Sequence, residues 1–300
     1  MTERRIPVST PSGDFTVWTR TVGNNPRCRL LLLHGGPGAT HEYFEGLGEA
    51  LAAAGIEVIY YDQLGSFMSD QPDDPSLWDL ERFIGEVEQV RQALELDSDD
   101  FFILGHSWGG LLGIEYALRH GEHLKGLIIS NMMSSIPAYN RYAREVIMPT
   151  IDPTALARIQ ELEAAEDYSN PDYEALLMQH HYVLRVLRAP EDEWPEPVVR
   201  SFGHLNSAVY VPMQGPSELG ASGALVEWDR FDDLRDINVP TLVIGAEFDT
   251  MDPVYMQAMA RQLPHGRYLH CPEGAHMAMW DDADHYIPGV LAFLQDVAGR

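Results

Sequence analysis

The chain has 300 residues, 45% hydrophobic and 22% charged, with a formal net charge of −26. That is apolar enough for one large core with an inserted subdomain, and it excludes disorder as the ordinary state. A surface this acidic turns away nucleic acid and anionic membranes, so neither is expected as a partner.

The charge is spread evenly. Positions 137–230 hold 15 acidic and 7 basic residues, the density of the whole chain. It therefore marks no binding site and is read as a solubilising surface. The two cysteines, Cys28 and Cys271, make no disulfide framework and are expected to be free. No stretch has the form of a signal peptide, and no run of about 18 apolar residues exists. A cytoplasmic enzyme is expected. Oligomeric state is not legible.

The chain opens as a hairpin, 6–10 against 15–19, around Pro11-Ser12-Gly13-Asp14. Five apolar-rich positions, 29–33, suit a strand buried on both faces. A helix over 42–54, a strand over 56–61 and a helix over 77–96 follow. Leu80, Phe83, Ile84, Val87, Val90 and Leu94 give the last its period. A strand (101–104), a helix (108–119) and a strand (127–130) continue the alternation. From 134 to 228 the chain turns helical and irregular, rich in Tyr, Met, Pro and Glu. The alternation resumes with a strand at 240–245, a helix at 255–263, a strand at 267–270 and a helix at 287–297. This order predicts a mostly parallel, doubly wound α/β sheet. Its core is made of 1–133 and 229–300, and 134–228 is a helical lid over the carboxyl ends of the strands, where ligands bind.

The sharpest motif is Gly105-His106-Ser107-Trp108-Gly109-Gly110, between a predicted strand and a predicted helix. A serine between two glycines at such a turn is the nucleophile elbow of the α/β-hydrolase fold. The loop His34-Gly35-Gly36-Pro37-Gly38 ends another strand. Acyl transfer needs two N–H groups aimed at the oxyanion. Gly36 N–H and Trp108 N–H, the latter just after the nucleophile, are assigned to it. In this fold the acid and then the histidine follow the serine. Asp249 lies just past the strand at 240–245, with Glu247 and Asp252 as rivals; Asp252 precedes Pro253 and is equally a helix cap. His276 lies in the loop before the last helix, with His265 and His270 as weaker competitors. No zinc spacing, phosphate loop or dinucleotide fingerprint occurs, so no metal and no cofactor is expected. A serine in the elbow disfavours the chemistry of carboxylate-nucleophile hydrolases.

Together these segments resemble the prolyl aminopeptidases, or proline iminopeptidases. Tyr61-Asp62-Gln63-Leu64-Gly65-Ser66 is similar to that family's Asp-Gln-x-Gly segment. The lid segments Trp194-Pro195-Glu196 and Met213-Gln214-Gly215-Pro216-Ser217-Glu218 match as well, and Met277 and Trp280-Asp281 stand behind the base. The resemblance implies a serine aminopeptidase that releases an amino-terminal residue, proline above others, from short peptides, amides or arylamides. It implies Glu218 as the partner of the substrate's free amino group. Gly35 and Phe67 are expected to line the substrate site. Two departures stand out. Thr250 follows the aspartate where some members carry a second glutamate, and Ser66-Phe67-Met68-Ser69 replaces a glycine-richer segment. The nearest alternative is an amino-acid amidase or esterase with the same triad; a binding protein that keeps the fold is the alternative of another class.

Overall fold

The computed structural model describes residues 1–299. Eight strands form one sheet: β1 (Thr2–Thr10), β2 (Gly13–Val22), β3 (Arg29–Leu33), β4 (Glu57–Asp62), β5 (Phe101–His106), β6 (Gly126–Ser130), β7 (Thr241–Ala246) and β8 (Gly266–Cys271). Their order is β1-β2-β4-β3-β5-β6-β7-β8. The hairpin β1–β2 runs antiparallel and joins β4 antiparallel; every pair from β4 through β8 is parallel.

The parallel strands are apolar on both faces for the reason expected. In β5, Phe101 and Ile103 enter one buried cluster while Phe102 and Leu104 enter the other. Leu31 and Leu33 of β3 alternate with Leu30 and Leu32 in the same way. Side chains two apart share a face, so a sheet covered on both sides needs apolar residues at every position. On the first face pack α2 (Leu80–Ala93) and α3 (Trp108–His120). On the second pack α1 (Glu45–Ala53) and the last helix.

Between β6 and β7 no strand forms. The segment holds α4 (Ile136–Tyr142), α5 (Pro153–Ala164), α6 (Pro171–Leu177), a single turn α7 (Val183–Arg185), α8 (Glu196–Gly203) and α9 (Ser207–Met213). Two π-helical turns, Ala143–Ile147 and Met178–Tyr182, interrupt it. The starts are written in the sequence. Asp152 before Pro153 and Asn170 before Pro171 both cap the helix that follows with their side chains. Ile147, Ile151, Ile159, Leu162, Tyr173, Leu177 and Leu219 form a third cluster, separate from the two that flank the sheet. After β7 come α10 (Pro253–Gln262), a short α11 (Ala278–Asp281) and α12 (Ala283–Ala298).

Several boundaries differ from expectation, three of them for a visible physical reason. The helix expected at 42–54 is a 3-10 turn, His41–Phe44, running into α1, because Thr40 caps the turn first. The helix expected at 77–96 starts at Leu80, where the Asp79 side chain accepts from the N–H groups of Glu81 and Arg82. The last helix starts at Ala283, four residues early, and carries Pro288 inside it. Burial of Tyr286, Val290, Phe293 and Leu294 outweighs the one backbone bond that the proline forgoes. Both cysteines are free and buried. Among the described residues no helix is long and apolar enough to cross a membrane.

Candidate active site

The order of the strands reverses at β3: β4 lies on one side of it and β5 on the other. Crevices form at such a switch point, beyond the carboxyl ends of the strands. Leu33 at the end of β3 is in register with Gly105 of β5. The loop 34–38 and the elbow 105–110 therefore emerge side by side.

The elbow is sterically fixed. A β-carbon on Gly105 would press into the Gly109 carbonyl oxygen, and one on Gly109 would press into the Leu33 carbonyl oxygen. Only glycine allows the helix to turn so tightly onto the sheet. Ser107 pays with strain: its φ is 55° and its ψ −128°, a region that L residues rarely adopt. Its neighbours hold it there, with its N–H on the Ser130 carbonyl and its C=O taking the Gly110 N–H. The Gly35 α-carbon lies so near that a β-carbon on it would stand 3.0 Å from the Ser107 β-carbon.

Asp249 and His276 meet directly. The His276 ring Nδ1 is 2.8 Å from Asp249 Oδ1. Oδ1 also accepts the Met251 N–H at 3.1 Å and the Thr250 hydroxyl at 3.3 Å, and Oδ2 accepts the Asn131 side-chain amide at 2.7 Å. The carboxylate only accepts, so Nδ1 carries the proton and Nε2 is left as the basic nitrogen. Burial lowers the His276 pKa, but the charge and hydrogen bond of Asp249 outweigh it and leave the group above the ordinary imidazole value.

The main chain of His276 is held from two directions. Its N–H donates to the Arg185 carbonyl at 2.9 Å, and its C=O lies 2.8 Å from the His106 ring Nε2. Burial holds the His106 pKa far below the usual range, so the ring is neutral, with its proton on Nε2. His106 Nδ1 then accepts the Tyr43 hydroxyl at 3.1 Å, and that hydroxyl accepts the Gly35 N–H at 2.6 Å. One buried relay thus ties the loop after β3 to the loop that carries His276. Gln63 braces the other side. Its amide donates to the His34 carbonyl at 3.0 Å, and its side-chain oxygen accepts the Trp108 indole N–H at 2.8 Å.

Neither the Gly36 N–H nor the Trp108 N–H has an acceptor among the described residues, whereas the Gly35 N–H is spent on Tyr43. Gly36 has φ 104°, and a β-carbon there would lie 2.7 Å from the Ala39 nitrogen. The loop needs glycine at this point.

Ser107, Trp108, Met132, Tyr139, Glu218 and Met251 are among the walls of one narrow cavity. Glu218 is half-buried, and it forms no ion pair among the described residues. Its Oε1 accepts the Tyr210 hydroxyl at 2.6 Å. Its carbonyl accepts from Tyr139 at 2.8 Å and lies 3.0 Å from His181 Nε2. Burial keeps the Tyr139, Tyr182 and Tyr210 hydroxyls neutral, and the Glu218 charge adds to the effect at each. The same charge raises the pKa of His276. The Glu218 carboxylate thus shares a narrow, largely apolar cavity with Ser107.

Phe67 lies elsewhere. It stacks on His204 with ring centres 4.0 Å apart and is not a wall of this cavity. Of the rivals, Asp252 caps α10 through the Val254 N–H, as its place before Pro253 suggests, and Glu247 pairs with His270 at the exposed surface. His265 is exposed. Sequence reasoning missed Asn131, Tyr43 and the structural use of His106. Asn131, with φ 53°, directly follows β6, and its position just past a strand's carboxyl end was a usable signal. Tyr43 gave none.

The α/β hydrolase fold model matches residues 29–283. A proline iminopeptidase of Flavobacterium johnsoniae is 48% identical over 292 residues, covering 97% of this chain and 98% of that protein. One from Elizabethkingia meningoseptica is 49% identical over 294 residues, again covering 97% and 98%. The chain belongs to the proline iminopeptidase family of α/β hydrolases. Solved structures agree in shape. The crystal structure of a proline iminopeptidase from Mycobacterium smegmatis superposes with a TM-score of 0.85 at 28% identity, covering 99% of both chains. That of VinJ superposes with a TM-score of 0.89 at 26% identity, covering 98% of this chain and 99% of the other. Thr250, where some proline iminopeptidases carry a second glutamate, is spent on the dyad, 3.3 Å from both Asp249 Oδ1 and His276 Nδ1.

Proposed function

We propose that this member of the family works through Ser107, His276 and Asp249, and that Glu218 selects substrates with a free amino end. Ser107 Oγ attacks the scissile carbonyl, and His276 Nε2 takes its proton. Asp249 holds the imidazole and stabilises its charged form. The Gly36 and Trp108 N–H groups receive the oxyanion. His276 then protonates the leaving amine, and water frees the acyl-enzyme. The helical segment 134–228 is the lid over this centre, since it supplies Tyr139, Gln214 and Glu218 to the cavity wall.

The observation that carries the specificity is the Glu218 carboxylate. It has no cation and sits among buried tyrosines in the cavity that holds Ser107. A substrate ammonium completes that arrangement, and an acetylated amine leaves the carboxylate unpaired. With Thr250 committed to the dyad, Glu218 carries the amine alone.

The test is turnover of proline p-nitroanilide, its alanine analogue and N-acetyl-proline p-nitroanilide by wild type, Ser107→Ala and Glu218→Gln. Wild type should cleave the free prolyl substrate fastest and the acetylated one hardly at all. Ser107→Ala should lose essentially all turnover. Glu218→Gln should lose about 100-fold in kcat/KM on the free amine, near 2.7 kcal/mol, and little on the acetylated substrate. Equal rates on all three substrates, indifferent to Glu218, would point to a broad amidase or esterase.

A further inference from the structure

Behind His276 the helical insertion meets the base loop along a seam of main-chain bonds. The Arg185 carbonyl accepts the His276 N–H at 2.9 Å, and the Val186 carbonyl accepts the Met277 N–H at 2.8 Å. A single carboxylate closes the same seam. Asp281 accepts the Ala275 N–H on its two oxygens, at 3.1 and 3.2 Å, and the Arg188 N–H at 3.0 Å. It therefore grips the residue before the base and a residue of the insertion at once.

We infer that Asp281 is a positioning residue for the hydrolysis: its ionised carboxylate locks the base loop to the helical insertion and so sets the imidazole of His276. An ionised carboxylate accepts from both N–H groups. A protonated one, with the proton on Oδ1, loses that acceptor and its charge: Oδ2 alone must then serve both the Ala275 and the Arg188 N–H groups, and the two-oxygen grip on Ala275 loosens.

The surroundings place this change in a useful range. Burial pushes the Asp281 carboxyl up to about 6, while the N–H groups of Arg188 and Ala275 hold it down; the Asp249 charge raises it and the Arg188 guanidinium lowers it. From the base loop His276 faces it, itself raised by the Asp281 charge. The Cys271 thiol at the end of β8 feels both Asp281 and its neighbour Asp282. Glu273 lies 3.9 Å from the Arg188 guanidinium. On acidification His276 charges first and the base is lost. Near pH 6 Asp281 takes a second proton. Each is a separate loss, so log kcat/KM falls more steeply than one group allows.

The inference rests on His276 as the base. A His276→Ala enzyme that kept turnover would fail that assignment. A dead His276→Ala beside an unaltered Asp281→Asn would fail the positioning role alone. The experiment is kcat/KM on proline p-nitroanilide from pH 8.5 to 4.5 for wild type, Asp281→Asn and Asp282→Asn, with far-UV circular dichroism at each pH and return to pH 8 to exclude acid unfolding. Asp282 is the control, because its carboxylate holds Glu273 and His285 instead. Wild type and Asp282→Asn should steepen beyond a slope of 1, to about 1.5, near pH 6. Asp281→Asn should keep a slope of 1, with kcat at pH 8 down about tenfold and KM within twofold. Three results would overturn the inference: a wild-type slope of 1 throughout in native protein, an Asp281→Asn enzyme with wild-type kcat and slope, or the same loss of slope in Asp282→Asn.

Discussion

Asp249 is fully buried, yet it meets four donors: the His276 ring, the Met251 N–H, the Thr250 hydroxyl and the Asn131 amide. Such a carboxylate does two jobs, fixing the tautomer of the imidazole and favouring its charged form. The second has a cost at the start of the reaction. A base must be neutral to accept a proton, and His276, the proposed base, is held above 6.5. A raised pKa in the folded state contributes stability that is complete below about 6.5 and is lost as pH rises through the folded value. The active, neutral form is therefore the one from which that stabilisation has gone. The first acid limb of kcat/KM is expected above pH 6.5. Asp249→Asn should lower kcat by about 10⁴, because an amide at this place no longer enforces the tautomer, and should move the limb downward. A pH profile of the two enzymes on proline p-nitroanilide measures both; an unmoved limb would show that the carboxylate does not set the base's pKa.

At the scale of elements, the elbow and the two loops do the positioning. Gly109 sits against the Leu33 carbonyl oxygen with no room for a methyl group. Gly109→Ala must push α3 away from β3 and drag Ser107 and Trp108 with it. A cost of about 3 kcal/mol or more is expected, seen as a drop of roughly 6–10 °C in Tm, with activity lost even in the fraction that folds. Wild-type Tm and turnover would remove the steric account of the elbow. These parts were legible in the sequence because they are local. The strands β3 and β5 showed their apolar runs, the glycines stood at the turns, and Asp252 before Pro253 announced its cap. What was hidden depends on residues far apart in the chain. Tyr43 meets His106 across 63 positions, and Asn131 meets Asp249 across 118. The tyrosines around Glu218 come from three separate helical pieces. No period or spacing encodes such meetings. Phe67 shows the opposite failure, an aromatic residue near the motifs whose stacking partner, His204, lies in the insertion.

At the scale of the whole molecule, the 95-residue insertion 134–228 must stay seated on a chain with a net charge of −26. The grips fall beside the catalytic loops. The Asn206 N–H donates to the Gly38 carbonyl at 2.9 Å, and the Asn206 amide donates to the Gly65 carbonyl at 2.7 Å. Next to these, Arg200 of α8 binds both Glu42, a buried carboxylate, and Glu45, at 2.7 Å, while His204 also holds Glu42 at 2.8 Å. The repulsion among so many carboxylates is long-ranged and screened by salt, but Glu42 is out of reach of that screening. Removing its guanidinium leaves a buried charge with a weaker partner. Such a loss costs about 3–5 kcal/mol when fully buried, and roughly 2 here, since Arg200 is one-third exposed and His204 remains. Arg200→Met keeps the stem and removes the charge. It should lower Tm by about 4–6 °C, and limited proteolysis should cut faster between 189 and 206 while the sheet stays intact. Raising sodium chloride from 0.05 to 0.5 M should raise the wild-type Tm by relieving self-repulsion, without restoring the variant to it. If the variant matched wild type in both melting and proteolysis, the insertion would be held by its apolar contacts and by Asn206, and the ion network beside the loop 34–38 would be no part of its seat.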